Sequence, residues 1–169
     1  MKKLLDKIQR HDSTIGIIGL GYVGLPLAIR FSQEKFNVIG FDLDKNKIDS
    51  LKKNESYIKH IKSKDIADLN KKGFLPTIDY KNIVNVDVII ICVPTPLGKH
   101  NEPDLSYIQS TLELIYPNLQ LEQLVILEST TFPGTTEEVV QSFIEGENQD
   151  YDYNANKLNF NTGKNFYIG

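Results

Sequence analysis

Thr14-Ile15-Gly16-Ile17-Ile18 runs straight into Gly19-Leu20-Gly21-Tyr22-Val23-Gly24, and a second apolar run, Val38 to Phe41, ends on Asp42. An apolar strand entering G-x-G-x-x-G, with an acid 18 positions after the last glycine, constrains the fold more than any other feature of the chain. Each part has a physical role in dinucleotide binding. Gly19 permits the tight turn off the strand. Gly21 removes a side chain, so that backbone N–H groups can approach a pyrophosphate. Gly24 lets the following helix lie close to the strand, and the helix N-terminus offers unpaired N–H groups to an anion. Asp42 is placed to accept hydrogen bonds from ribose hydroxyls. Glycines alone also serve turns and caps. The strand, the helix and the acid at the required spacing are what favour the dinucleotide reading.

The rest of the chain repeats the alternation of strand and helix. Leu4, Leu5 and Ile8 predict a short amphipathic helix over 2–10, ahead of a strand at 14–19. A helix follows over 22–34, with Pro26 in its first turn, and Asn37 turns the chain into a strand at 38–42. Asp44 and Ser63 are candidate N-caps for helices carrying Ile48 and Leu51, and Ile66 and Leu69, the second ended by Gly73. A short strand is expected at 74–77. Val88-Ile89-Ile90-Ile91-Cys92-Val93 reads as a parallel strand covered on both faces. Asp104 opens a helix with Leu105 and Ile108 on one face, and 124–127 is another strand. Thr135 and Glu138 form a T-x-x-E capping box for a helix carrying Val139, Val140 and Phe143. The polar stretch 145–165 is expected to be a surface excursion, partly mobile. Phe166 to Gly169 resembles the beginning of one more strand, so the chain is read as a fragment of something longer. The fold class is α/β, a Rossmann-type parallel sheet with helices on both faces, truncated at the C-terminus.

The 169 residues are enough for one domain with its own core. A net charge of −3 argues against a nucleic-acid partner, and the lysines between 52 and 64 are interleaved with acids as on a solvated face. One cysteine excludes an internal disulfide framework. Asp6, Lys7 and Gln9 interrupt any signal-like apolar run, and no stretch is long enough to span a bilayer. A cytoplasmic protein without a membrane partner is expected.

On an open α/β sheet, ligands bind outside the carboxyl ends of the strands. Two loops besides the glycine loop fall there. Pro94-Thr95-Pro96 follows the buried run and is held extended by its prolines. Glu128-Ser129-Thr130-Thr131-Phe132-Pro133-Gly134 follows the next strand and offers small hydroxyls. Taken singly, each is ordinary turn chemistry. Their shared position at the strand ends favours a cofactor groove.

The combination resembles the nucleotide-sugar 6-dehydrogenases, the UDP-glucose/GDP-mannose dehydrogenase family. The resemblance rests on G-L-G-Y-V-G-L-P-L-A at 19–28, V-P-T-P-L at 93–97, E-P-D-L-S-Y at 102–107 and L-E-S-T-T-F-P-G-T-T-E-E at 127–138. The last two blocks look most like the UDP-N-acetylglucosamine 6-dehydrogenase branch; UDP-glucose and UDP-N-acetylmannosamine are the alternative substrates. The resemblance implies an N-terminal NAD-binding domain over 1–169, with the central and sugar-binding domains absent from this chain. It implies that Tyr22 and Val23 contact the pyrophosphate through backbone, and that Asp42, assisted by Lys47, holds the adenosine ribose. It further implies that Thr95 and Thr130 line the nicotinamide side, within the Pro94–Pro96 and Ser129–Thr130 loops. The family oxidises a sugar C6 alcohol to a carboxylate in two hydride transfers, through a thiohemiacetal and thioester on a cysteine. No catalytic residue is expected in the 169 residues, and the whole enzyme is expected to be a homo-oligomer acting in surface polysaccharide synthesis.

Cys92 is not a candidate nucleophile, because a thiol inside a buried apolar run behaves as a small hydrophobe with a raised pKa. His11, His60 and His100 show no metal-ligand spacing and are read as surface or loop residues. Glu128 is read as an end-of-strand structural residue or a rim residue. Two other functions are compatible with the glycine loop: a dehydrogenase of the 6-phosphogluconate or hydroxyacid type, and a ligand-sensing Rossmann module. The V-P-T-P and S-T-T-F-P-G-T-T-E-E blocks speak against the first. A sensor has no need of hydroxyl-bearing loops after the later strands.

Overall fold

Six strands lie parallel in one sheet: β1 (Thr14–Ile18), β2 (Asn37–Phe41), β3 (Leu75–Thr77), β4 (Val88–Ile91), β5 (Leu124–Leu127) and β6 (Tyr167–Ile168). Their spatial order is β3-β2-β1-β4-β5-β6, the doubly wound dinucleotide-binding order. The computed structural model describes residues 2–98, 103–146, 151 and 158–169. β1 and β4 pair at the centre, Ile15 opposite Val88 through Ile18 opposite Ile91, and every residue of β4 is buried.

Two apolar cores form because successive strand residues point to opposite faces. Val38, Val88 and Ile90 pack on one face, while Ile39, Phe41, Ile89 and Ile91 pack on the other. The first face is covered by α1 (Lys2–Gln9), α2 (Gly24–Gln33), α3 (Lys45–Lys52) and α4 (Ser63–Lys71), through Leu4, Leu25, Ala28, Ile48, Leu51, Ile66 and Leu69. The second is covered by α5 (Ser106–Ile115) through Ile108, Leu112 and Ile115, together with Val140 and Phe143. The connections leave β1 and β4 toward opposite faces, which opens a crevice between the carboxyl ends of these neighbours.

Several local expectations are corrected. α2 begins at Gly24, not Tyr22, because Gly21 to Val23 form the turn whose carbonyls accept the first helical N–H groups (Leu25 N to Gly21 O, 3.1 Å). The turn into β2 is made by Lys35, at φ 69°, and Asn37 is already in the strand. Asp44 caps α3 as expected, its carboxylate accepting from Asn46 N. Ser63 does not cap α4. Lys62 occupies that position, and the Asp65 carboxylate accepts from its N–H at 3.1 Å. β4 ends at Ile91, because the chain turns away toward Pro94.

The Thr135/Glu138 capping box does not form. The buried Thr135 hydroxyl donates backward to Phe132 O at 2.8 Å, and the segment opens as π-helix (Thr136–Gln141) before α6 (Ser142–Ile144). Much of the supposed surface excursion lies at 147–150 and 152–157, outside the described residues. Its described part is anchored: Phe160 is 4% exposed, and Tyr116 stacks edge-on against Phe143, Tyr151 and Phe160. Among the described residues, no helix is long and apolar enough to cross a membrane.

Candidate dinucleotide cleft

The carboxyl ends of β1, β4 and β5 border a cleft of about 570 Å³. Gly19, Gly21, Val23, Asp42, Lys47, Pro94, Thr95, Ser129 and Thr130 line it, so segments far apart in the chain meet at one rim. Gly24, Tyr22 and Pro96 do not line it.

Two of the three glycines, Gly19 and Gly24, serve the turn and the helix packing that the spacing predicts. Gly19 sits at φ 91° and donates to Phe41 O at 2.8 Å; a Cβ there would meet Cys92 O at 2.7 Å. Gly24 brings α2 onto the loop, and a Cβ there would lie 1.9 Å from Gly19 O. At Gly21 a Cβ would meet nothing within 4 Å. That glycine is required by neither the turn nor the packing, which suits a position reserved for a ligand's approach.

Asp42 is 7% exposed, and its carboxylate organises the loop. Oδ2 accepts from Leu20 N and from Lys47 Nζ, each at 2.9 Å, and Oδ1 accepts from Asp44 N at 2.9 Å. A carboxylate offers about four acceptor positions, so these three bonds leave room for a ribose hydroxyl. Lys47, itself on the cleft wall, is the ion-pair partner of Asp42.

The two loops beyond the glycines are joined to each other. Thr95 Oγ1 donates to Thr130 O at 2.5 Å, and Ser129 Oγ donates to Val93 O at 2.7 Å. Pro96 supports them from outside, its carbonyl accepting from Asp104 N at 2.7 Å. Tyr22 is 73% exposed and stacks on His60, with centroids 5.9 Å apart. His11 stacks on Phe36, and His100 lies outside the described residues. Among the described residues, no group of His, Cys, Asp and Glu is arranged to hold a metal ion.

Burial pushes the Cys92 thiol up to about 12, with the Glu128 charge adding to it, so the chain's single thiol stays protonated and inert. Glu128 itself is exposed and lines the rim. Tyr80, also lining the cleft, is pushed up to about 12 by burial and then by the Asp42 charge.

Sequence reasoning missed part of this cleft. Tyr107, Ser110 and Thr111 on α5 and Leu43 after β2 line it. The apolar periodicity of α5 marked only the face turned to the core. Tyr57, between α3 and α4, donates its hydroxyl to Leu20 O at 2.6 Å, and no motif in that segment announced the contact.

A family model described as "UDP-glucose/GDP-mannose dehydrogenase family, NAD binding domain" matches residues 13–165. The UDP-N-acetyl-D-glucosamine 6-dehydrogenase of Pseudomonas aeruginosa is 34% identical over 127 residues, which are 75% of this chain and 29% of that protein. The UDP-N-acetyl-D-mannosamine dehydrogenase of Escherichia coli (strain K12) is 38% identical over 137 residues, covering 79% and 31%. Among solved structures, a ternary complex of the Pseudomonas aeruginosa GDP-mannose dehydrogenase superposes with a TM-score of 0.75 at 30% identity, covering 91% of this chain and 34% of that one. The chain spans about a third of the length of these relatives.

Proposed function

Because this chain belongs to the UDP-glucose/GDP-mannose dehydrogenase family, matched at its NAD-binding domain, we propose that it is the cofactor-binding domain of a cytoplasmic, homo-oligomeric nucleotide-sugar dehydrogenase. The substrate we assign is the C6 alcohol of UDP-N-acetylglucosamine, with UDP-N-acetylmannosamine and UDP-glucose as the alternatives. The relatives carry several sugar names, and residues 102–107 and 127–138 are the basis for the first choice.

The observation that carries the reading is the cleft itself. A glycine with open space above it, a helix N-terminus and a buried acid meet at the crevice between β1 and β4. In this reading the diphosphate lies against the backbone of Gly21, Tyr22 and Val23, Asp42 accepts from the adenosine ribose, and Thr95 and Thr130 border the nicotinamide. When bound, NAD accepts the hydride from the sugar alcohol. The protein's own residues hold and orient the cofactor: Lys47 steadies Asp42, and Asp42 in turn steadies the loop through Leu20 N. The sugar pocket and the reactive cysteine are proposed to lie outside these 169 residues, since the single thiol here is buried.

Calorimetric titration tests the assignment. The chain should bind NAD in preference to NADP, because a 2′-phosphate would face the Asp42 carboxylate, and Asp42→Ala should abolish binding. Equal or tighter binding of NADP, or unchanged NAD affinity in Asp42→Ala, refutes it. For the sugar, the longer protein whose first domain we propose this to be should form NADH with UDP-N-acetylglucosamine. The 169-residue chain alone should form none with any UDP-sugar.

A further inference from the structure

The glycine loop is gripped from a third direction that neither the strand nor the acid accounts for. Leu20, in the middle of the loop, is fully buried, with its N–H donating to Asp42 Oδ2. On its other side the Leu20 carbonyl accepts the Tyr57 hydroxyl at 2.6 Å. Tyr57 belongs to the connection between α3 and α4, 37 residues away in the chain. Its ring is partly buried against the apolar cluster beneath α2, so the hydroxyl is aimed by packing and does not search for its partner. Burial, and then the charges of Asp42 and Asp44, raise its pKa, and the phenol therefore remains a donor.

The peptide plane between Leu20 and Gly21 carries the Leu20 carbonyl on one edge and the Gly21 N–H on the other. Fixing the carbonyl therefore fixes the direction of the N–H. The bond that precedes the most open position of the loop is the one Tyr57 holds. We propose that Tyr57 is a positioning residue for the cofactor diphosphate: its hydroxyl locks the Leu20–Gly21 peptide so that the Gly21 N–H stays aimed at the phosphate oxygens. This links the α3–α4 connection to cofactor affinity, although Tyr57 itself is not among the residues lining the cleft. The inference rests on the placement of the diphosphate at the glycine loop described above.

Tyr57→Phe tests it, because the ring and its packing are kept and only the hydroxyl is lost. A lost hydrogen bond of ordinary net strength corresponds to a several-fold to tenfold change in an equilibrium constant. NAD and ADP-ribose should bind about 3- to 10-fold more weakly to Tyr57→Phe in calorimetry. Adenosine, which has no diphosphate, should bind as it does to the unaltered chain when followed by NMR shifts. Thermal unfolding provides the reference for fold integrity. Unchanged NAD affinity overturns the proposal. Equal weakening of NAD and adenosine also overturns it, because the hydroxyl is then only part of the general fold. If Tyr57→Phe unfolds, native-state hydrogen exchange on the unaltered chain decides: NAD should slow exchange at the Gly21 amide, and an unslowed Gly21 amide overturns the proposal. Gly21→Ala separates this failure from that of the parent reading. If it retains full NAD affinity, the diphosphate placement itself is wrong. If it loses NAD while Tyr57→Phe does not, only the role of Tyr57 is refuted.

Discussion

Adding one methyl group at Gly24 and one at Gly21 should have opposite consequences, although the two positions are three residues apart in the same motif. At Gly24 the new Cβ would sit 1.9 Å from Gly19 O and 3.0 Å from the Ile17 side chain. The nearer partner is backbone, so no rotamer change can relieve the contact. To restore even a 3.0 Å approach, α2 must move off the loop by roughly 1 Å, against Leu25 and Ala28, both fully buried. Overpacking of this kind costs about 1–3 kcal/mol and more when backbone must shift. We take about 3 kcal/mol, which in a domain of this size lowers Tm by about 6–12 °C. At Gly21 the Cβ meets nothing within 4 Å, and the backbone there is not left-handed. Gly21→Ala should melt at or slightly above the unaltered chain, since alanine restricts the unfolded state by about 0.4–1 kcal/mol. The methyl group instead stands where the diphosphate approaches, so NAD affinity should fall at least tenfold, or about 1.4 kcal/mol. Circular dichroism melts and NAD calorimetry on both variants make the comparison. A Gly24→Ala variant melting within 2 °C of the parent, or a Gly21→Ala variant that binds NAD normally, refutes the division of labour among the glycines.

The remaining predictions concern charge and protonation. Lys47→Met removes the cation beside Asp42 and should weaken NAD binding several-fold without changing the preference over NADP; a switch to NADP would show that Lys47 does more than steady the acid. Cys92 should resist an aromatic disulfide reagent at pH 8 in the folded chain and react stoichiometrically in denaturant; fast labelling of the native protein would contradict its burial. Cys92 is raised from 9.0 to about 12 and Tyr80 from 10.0 to about 12. In both cases the unfolded chain ionises first, so stability is fully present below pH 9 and declines as pH climbs toward 12. A flat denaturation midpoint across that window would count against these environments.

What the sequence revealed and what it hid have different physical origins. The burial of β1 and β4 is legible because Ile15, Ile17, Ile18 and Val88 to Ile91 carry it in their own side chains. The roles of Gly19, Gly21 and Gly24 are legible because each is a property of a missing Cβ at a fixed spacing. The failures are hydrogen bonds whose partner the residue pattern does not name. Ser63 and Thr135 looked like caps, yet Ser63 accepts from Ser56 N and Thr135 donates to Phe132 O. Tyr57 and the cleft-facing residues of α5 were invisible for the same reason. A phenol in a helix connection looks solvated until the fold brings the glycine loop beside it. Tyr151 and Phe160 were hidden by their neighbours: a stretch rich in Asn and Asp still contained two rings that pack on Tyr116.

The reciprocal bonds between the loops after β4 and β5 also give the cleft a chemical direction. Thr95 and Ser129 have each spent their only hydroxyl hydrogen on a carbonyl of the opposite loop. Toward the cleft those two oxygens can offer lone pairs and nothing else. A group arriving there must bring its own hydrogens, as a carboxamide NH₂ does, while a phosphate or carboxylate would find two more acceptors facing it. At the glycine loop the situation is reversed: backbone N–H groups at the start of α2 welcome an anion and have nothing to accept with. The crevice therefore changes hydrogen-bond polarity along its length, from donors at the glycine loop to acceptors between the two later loops.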